Sequence, residues 1–391
     1  MHYYNGHKKR VRKRKQVRSE IEKTDEMRVK KMRARWIKVL SLSLVLVFLL
    51  AVMTPVMAAS KKSESTKTTP KLVAFTFDDG PGDYTEMLLE GLEERNAVAT
   101  FFMTGENGKW GVKNYYDVLD RMIEDNCQLG NHTYGHKKFS TLQKGELKVQ
   151  LDGVENYLYK AMGGTYNEMV RIPGGENSGN VAEVDHPIIT WNVDSLDWDN
   201  RNTMAAYQRI MDTVSDGSII LMHDLYPSSV QAALHAMDKL AEEGYEFVTV
   251  SELFRRKGIK LENGTIYSDA RSGEKNLPAY SAPELNAEEK DDDSFSVSVK
   301  DPEKKLTYYY TLDGSTPRMS SEKLTKSVTI KAGQVLKVAG YDEYAVRTPV
   351  QEQTYKTQEE RETEQLIAEK EEKANKSFFV RLFRKLHIFG F

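Results

Sequence analysis

A single cysteine, Cys127, is all the thiol chemistry this 391-residue chain holds, so no intramolecular disulfide can staple it, and a scaffold built on disulfides is excluded. Cys127 leads into apolar Leu129, which favours a buried structural role over a nucleophilic one. Net charge is nearly absent too, at −2, but the balance is not local. Residues 1–38 hold 15 Lys and Arg against 4 Asp and Glu, a net of +11, which leaves 41 against 54, or −13, for the rest. Long apolar runs are scarce, and the longest follows that basic head: Val39 to Met53 carries no charge, and its apolar character continues to Ala59. About 20 apolar residues can span a hydrocarbon core, and flanking Lys and Arg keep their end cytoplasmic. Residues 39–59 therefore read as a transmembrane anchor or signal segment, 1–38 as a basic cytoplasmic tail, and the remainder as extracellular at the cell membrane. Val56-Met57-Ala58 also fits a small-residue cleavage site, in which case the protein is secreted. The long basic head favours retention. Because the apolar run accounts for that head more economically than nucleic-acid binding does, no nucleic-acid partner is expected.

Residues 60–71 are a polar Ser/Thr/Lys linker without apolar periodicity. From 72 to 257, short apolar runs (LVAFTF, AVATFFM, IITWNV, SIILMH, YEFVTV) alternate with amphipathic stretches such as TEMLLEGLEER. That alternation predicts an α/β domain with a mainly parallel sheet. Residues 258–290 dissolve into Gly, Asn, Ser and Pro and are expected to be a linker. Over 291–356 the runs SFSVSV, LTYYYTL, SVTIKA and QVLKVAGY are short, alternating and separated by turn residues, which predicts a small antiparallel β-module. Residues 357–391 begin as a charged helix or disordered run and end in SFFVRLFRKLHIFGF, whose apolar residues fall on one helical face. That pattern fits an amphipathic helix lying on a membrane or docked on the protein itself.

Chemistry concentrates at the ends of the apolar runs. Asp78 and Asp79, in TFDDG, follow the first run, where α/β domains place active sites, although Asp-Asp-Gly is also ordinary turn chemistry. His132 and His136 lie four apart, a spacing that on one helical turn would let both reach a metal. Of only eight histidines in the chain, His223 ends another apolar run, in ILMHD. Two His and one Asp make a set of three ligands that leaves positions open for water and substrate, as a catalytic metal requires.

Taken in order, TFDDG, HTYGH, RIPGG, VDSLDW and ILMHD resemble the five motifs of the polysaccharide deacetylases with a NodB-type domain, carbohydrate esterase family 4. The resemblance covers about Leu72 to Arg256. It implies a distorted (β/α) barrel, a divalent, Zn²⁺-like cofactor and hydrolysis of acetamides on an N-acetylated polysaccharide, with peptidoglycan N-acetylglucosamine or N-acetylmuramic acid foremost. An O-acetyl esterase acting on xylan-like polymers and a non-catalytic polysaccharide-binding anchor are the alternatives. Carried over by position, Asp79, His132 and His136 resemble the metal ligands, Asp78 the general base and His223 the general acid. Arg171 is similar to the arginine that orients the base, and Asp194 to the carboxylate that pairs with the acid histidine. Gly174, after Pro173, resembles the backbone donor to the oxyanion, and Trp198 a wall of the substrate groove. Where the commonest pattern has Tyr after that Pro, this chain has Gly174-Gly175, so the aromatic wall that Tyr supplies is missing. The YYYTLDGSTP stretch at Tyr308 resembles the C-terminal β-sandwich modules of chitobiases, which points to a structural spacer or a glycan-binding module.

Overall fold

The computed structural model describes residues 70–370 and 373, except 144, 165–168, 176–180, 182 and 291–292. The expected basic tail, the expected membrane segment at 39–59, most of the expected linker after it and the Phe-rich stretch 377–391 lie outside the described residues. Among those described, no helix is long and apolar enough to cross a membrane.

Strand β1 (Lys71–Asp78) is buried at seven consecutive positions, as a continuous apolar run must be when both faces of a parallel sheet are covered. It lies between β6 (Ser218–His223), paired along Val73 to Asp78, and a second edge shared by two strands. There β7 (Tyr245–Phe247) pairs with residues 71–73 and β2 (Thr100–Met103) with residues 76–78. The gap where β7 gives way to β2 is stitched by the helix that follows β7, Val250–Lys257: its Val250 amide donates to Thr100 Oγ1 at 2.9 Å and its Ser251 amide to Gln128 Oε1 at 3.0 Å. Beyond β2 comes β3 (Gln128–Asn131), and beyond β6 comes β5 (Val193–Asp194).

The run IITWNV, expected as one strand, is two. After β4 (Ile188–Ile189) the chain breaks at Thr190 to Asn192 before β5, because the Asn192 side chain accepts from the Ile219 amide at 2.9 Å and substitutes for ladder pairing. Residues 258–290 are more than the linker expected. Within them β8 (Ile266–Tyr267) pairs parallel to β4, and β9 (Leu285–Glu289) belongs to the next sheet. Single bridges from Val170 to Asn131 and to Ile188, and from Ser218 to Asp269, carry the pairing round from β3 through β4 and β8 to β6. The result is a distorted α/β barrel whose strand ends Asp78, Asn131, Asp194 and His223 point to one rim.

The C-terminal module packs a three-stranded antiparallel sheet (β13-β10-β9) on a four-stranded one (β12-β11-β14-β15). Here β10 is Ser294–Val299, β11 Thr307–Thr311, β12 Glu322–Lys323, β13 Val328–Lys331, β14 Val335–Tyr341 and β15 Gln351–Thr354. Phe295, Val297, Ile330, Leu336 and Val338 share its core with Tyr308, while Tyr309 is buried on the opposite face with Ala339 and Tyr341. That second face is occupied by the barrel domain. Arg347 donates to the Ile123 and Glu124 carbonyls at 2.8 and 3.0 Å, at the C-terminus of helix α2 (Val118–Glu124). Arg318 donates to Asp120 Oδ1 at 2.7 Å and to the Ala161 carbonyl, at the C-terminus of helix α3 (Glu146–Ala161). Two cations thus sit at the negative ends of two helices, and α2 leads directly into β3, the strand that ends beside His132. The charged stretch after Thr357 is helical from 358 to 370 and solvent-facing nearly throughout.

Candidate active site

Parallel strands end with their carbonyls and following loops on one rim, and the polar residues of the chain's motifs collect there. Asp78 and His223 are register partners on neighbouring strands, so their backbones are about 4.8 Å apart. Asp79 follows with φ 73°, a left-handed conformation that turns its carboxylate to the rim instead of along the strand. The turn is pinned from below: Thr85 Oγ1 accepts from the Gly82 amide at 2.8 Å and donates to the buried Asp224 carboxylate. Only glycine fits at position 80, where a Cβ would lie 2.4 Å from Asp224 Oδ1. Burial, with Thr85 opposing it, pushes the Asp224 carboxyl up to about 6.

His132 and His136 do not share a helical turn, as their spacing suggested. They sit in a loop in which Thr133 and His136 have φ of 68° and 48°. The loop is fixed by Asn131, whose side chain accepts from the Thr133 amide at 2.9 Å, and by Gln150 of α3, which accepts from Tyr134 N and Gly135 N at 2.8 Å each. The two rings still converge, their centroids 5.0 Å apart. His132 Nδ1 donates to the Arg171 carbonyl at 2.7 Å, which fixes the tautomer and leaves the Nε2 lone pair facing Asp79. Asp79 Oδ1 lies 3.4 Å from His132 Nε2 and 3.0 Å from His136 Nε2, yet this buried oxygen makes no hydrogen bond. Burial raises the Asp79 carboxyl, but the two imidazoles, when protonated, outweigh it and hold the group far below the usual carboxylate range. One ligand atom from each of Asp79, His132 and His136 falls within 4.8 Å of the others. An orphaned carboxylate oxygen among imidazole lone pairs is a donor set that fits a divalent cation.

Arg171 is fully buried, a position that guanidinium can hold only with its charge paired and each of its nitrogens bonded to an acceptor. Nη1 donates to Asp78 Oδ1 at 2.7 Å and to Thr76 Oγ1 at 2.6 Å, Nε to the Ile189 carbonyl at 3.1 Å, and Nη2 to the Thr190 carbonyl at 2.9 Å. Phe102 lies against the guanidinium at 4.1 Å and Trp191 at 5.6 Å. Arg171 therefore anchors Asp78 Oδ1 and leaves Oδ2 toward the Asp79, His132 and His136 donor set, 3.7 Å from His132 Nε2.

The partner of His223 is not the expected Asp194. Asp194 turns back to accept from the Leu196 amide at 3.0 Å. Leu196 has φ 51°, and this reversal brings Asp197 beneath the imidazole. Asp197 Oδ1 lies 3.0 Å from His223 Nδ1, and Oδ2 accepts from the His223 amide at 2.9 Å. Burial alone would lower the imidazolium, but the Asp197 contact, followed by the charges of Asp79 and Asp78, raises it to about 9. Nε2 remains on the far edge of the ring. Gly174 adopts φ 70° in the turn after Arg171, with nothing within 4 Å of where a side chain would begin. Trp198 is 51% exposed on the short helix that Asp197 begins, while Trp191 is half-buried against Arg171 and Gly175.

Sequence reasoning missed Asp197, although it is the second carboxylate of DSLDW and its three-residue offset from Asp194 is visible there. It also missed Thr76, Asp224 and the aromatic pair Trp110 and Tyr226, whose rings meet edge to face at 5.9 Å. Cys127 is buried, and that burial pushes its thiol up to about 12, as an inert structural cysteine requires.

Residues 65–187 match the family model for polysaccharide deacetylase, and residues 289–352 match that for the chitobiase/beta-hexosaminidase C-terminal domain. Among similar curated proteins, a peptidoglycan-N-acetylmuramic acid deacetylase of Bacillus subtilis is 34% identical, over 49% of this chain and 40% of its own length. A peptidoglycan-N-acetylglucosamine deacetylase of Listeria monocytogenes is 33% identical over 51% and 42%. A peptidoglycan-N-acetylglucosamine deacetylase of Bacillus cereus is 30% identical over 47% of this chain and 68% of its own. The chain thus spans less than half the length of the first two.

Proposed function

The chain belongs to the polysaccharide deacetylase family, and from that premise we propose that it hydrolyses N-acetyl groups on amino sugars of peptidoglycan, N-acetylglucosamine or N-acetylmuramic acid. The observation that carries this reading is the pairing of an Asp-His-His donor set with a carboxylate and an imidazolium on adjacent strand ends. Asp79, His132 and His136 would hold a divalent cation such as Zn²⁺, which would supply Lewis-acid polarisation of the acetamide carbonyl and make water easier to deprotonate near neutral pH. The chain's own residues do the rest. Asp78, anchored by Arg171 through Oδ1, takes the proton of the attacking water on Oδ2. His223, kept protonated by Asp197, returns a proton from Nε2 to the departing sugar nitrogen, so acetate and a free amine result. The oxyanion role is assigned to the Gly174 amide, on the left-handed turn after Arg171, and sugar stacking to the exposed Trp198.

The proposed setting is the outer face of the cell membrane. Its support is in the sequence, where the net +11 of residues 1–38 precedes the apolar run at 39–59. The function is tested by acetate release from the metal-loaded full chain on peptidoglycan, N-acetylated chitooligosaccharide and O-acetylated xylan. Release from the N-acetylated glycans, with xylan the poorest substrate, is expected. Release from xylan alone, or from none, overturns the reading.

A further inference from the structure

The rim holds a second group of residues that the deacetylation chemistry does not use. Gly82, three residues after Asp79, lies against Trp110: a Cβ there would be 3.0 Å from the indole Cδ1. Trp110 meets Tyr226, at the N-terminus of the helix that follows His223. Tyr226 in turn carries Arg201, whose guanidinium lies 4.0 Å from the ring centroid while Nη2 donates to the Tyr226 hydroxyl at 3.0 Å. Arg201 closes the arc, since it ends the short helix Asp197–Asn200 that begins with the partner of His223 and displays Trp198. Its φ of 52° is an uncommon conformation for a residue with a side chain.

The two cations on this arc differ in what they already hold. Lys109, 5.6 Å from the Trp110 ring, is spent on Asp83. Arg201 is exposed, held in one orientation by Tyr226, and forms no ion pair among the described residues. Its Nη1 and Nε donors have no protein acceptor there. A stacked guanidinium with donors to spare is the geometry that receives a carboxylate. A neutral chitin-like chain carries no carboxylate, whereas a muramic residue carries a free lactyl carboxylate where the stem peptide has been removed and, where it has not, the carboxylates of the peptide itself.

We propose that Arg201, presented by Tyr226, is an anion subsite that selects glycan strands bearing a carboxylate next to the acetamide being cleaved. The proposal rests on the function proposed above and adds the charge of the preferred substrate. A carboxylate received by an oriented but solvent-exposed guanidinium gains a modest charge-assisted contact, which corresponds to about 2- to 5-fold in kcat/KM.

The test compares metal-loaded wild type, Arg201→Ala and Arg201→Lys on three substrates: neutral chitooligosaccharide, peptidoglycan strands stripped of peptide, and intact peptidoglycan. In Arg201→Ala, the ratio of kcat/KM on carboxylate-bearing strands to that on the neutral oligomer is expected to fall about 2- to 5-fold. Arg201→Lys should restore part of it, and added salt should erode the wild-type preference but not the variant's. A fall on stripped strands assigns the lactyl carboxylate, and a fall on intact material alone assigns the peptide. An equal loss on all three substrates, or a lowered melting midpoint without a change in the ratio, makes Arg201 structural and overturns the proposal. If wild type releases no acetate from any of them, the proposed function fails instead.

Discussion

Replacing Asp197 by Asn removes one negative charge from beneath His223 and leaves the imidazole where it is. The Asn oxygen can still accept from the His223 amide, as Asp197 Oδ2 does at 2.9 Å, so the loop should keep its course. What changes is the balance on the ring. In the native protein, burial disfavours the imidazolium, and the Asp197 contact at 3.0 Å more than compensates, giving a value of about 9. A hydrogen bond to a charged group is worth about 1.5–3 kcal/mol, which at 1.36 kcal/mol per pH unit amounts to a fall of about 1–2 units once the charge is gone. The acid must be protonated to act, so activity is lost as pH rises through its pKa. The basic limb of the kcat/KM profile should therefore move to lower pH in Asp197→Asn. A cation on Asp79 cancels part of that carboxylate's own push on His223, so the loaded wild type loses activity at or below pH 9, and the difference between the two proteins carries the test. The stability consequence has the same sign. A group raised from 6.5 to about 9 stabilises the fold fully below pH 6.5 and loses that contribution as pH rises through 9. Asp194→Asn, which removes only a cap on the Leu196 amide, should leave the basic limb in place. If Asp194→Asn moves the limb and Asp197→Asn does not, the acid pair has been misassigned.

Other perturbations separate the remaining roles. His132→Ala should abolish both tight metal binding and turnover, because two protein ligands rarely hold a catalytic Zn²⁺; metal content by elemental analysis and acetate release are read together. Asp78→Asn should keep the metal and lose about 10²–10⁴-fold in kcat, and loss of metal from this variant would mean that the two aspartates have exchanged roles. Arg347→Ala should cost about 3 kcal/mol through two lost charge-assisted hydrogen bonds to the α2 carbonyls. It should lower the thermal unfolding midpoint, and an unchanged midpoint would mean that the β-module is not braced against the barrel.

How much of this was readable beforehand follows from where each residue's position is decided. Asp78, Asp79 and His223 sit at the ends of uninterrupted apolar runs, so their arrival at one rim follows from strand pairing, which periodicity reveals. His132 and His136 could be grouped with Asp79, but the loop conformation that brings them together could not: it depends on left-handed backbone at Thr133 and His136 and on Gln150 reaching back to two amides. The exchange of Asp194 for Asp197 has the same origin. One left-handed residue, Leu196, decides which of two nearby carboxylates reaches the imidazole. The fold class was legible from alternation alone, whereas the closure of the barrel through two-residue strands such as β4 and β8 was not, since so short a strand has no period. Nor was the seating of the β-module, which depends on Arg347 meeting a carbonyl 224 residues away in sequence.

Acetate release from N-acetylated peptidoglycan by the full chain after chelation and dialysis, with and without one equivalent of Zn²⁺ restored, tests the central claim most directly. The account predicts no turnover in the stripped protein, recovery on adding Zn²⁺ back, and no such recovery in His132→Ala. Undiminished release from the stripped wild-type protein would contradict it.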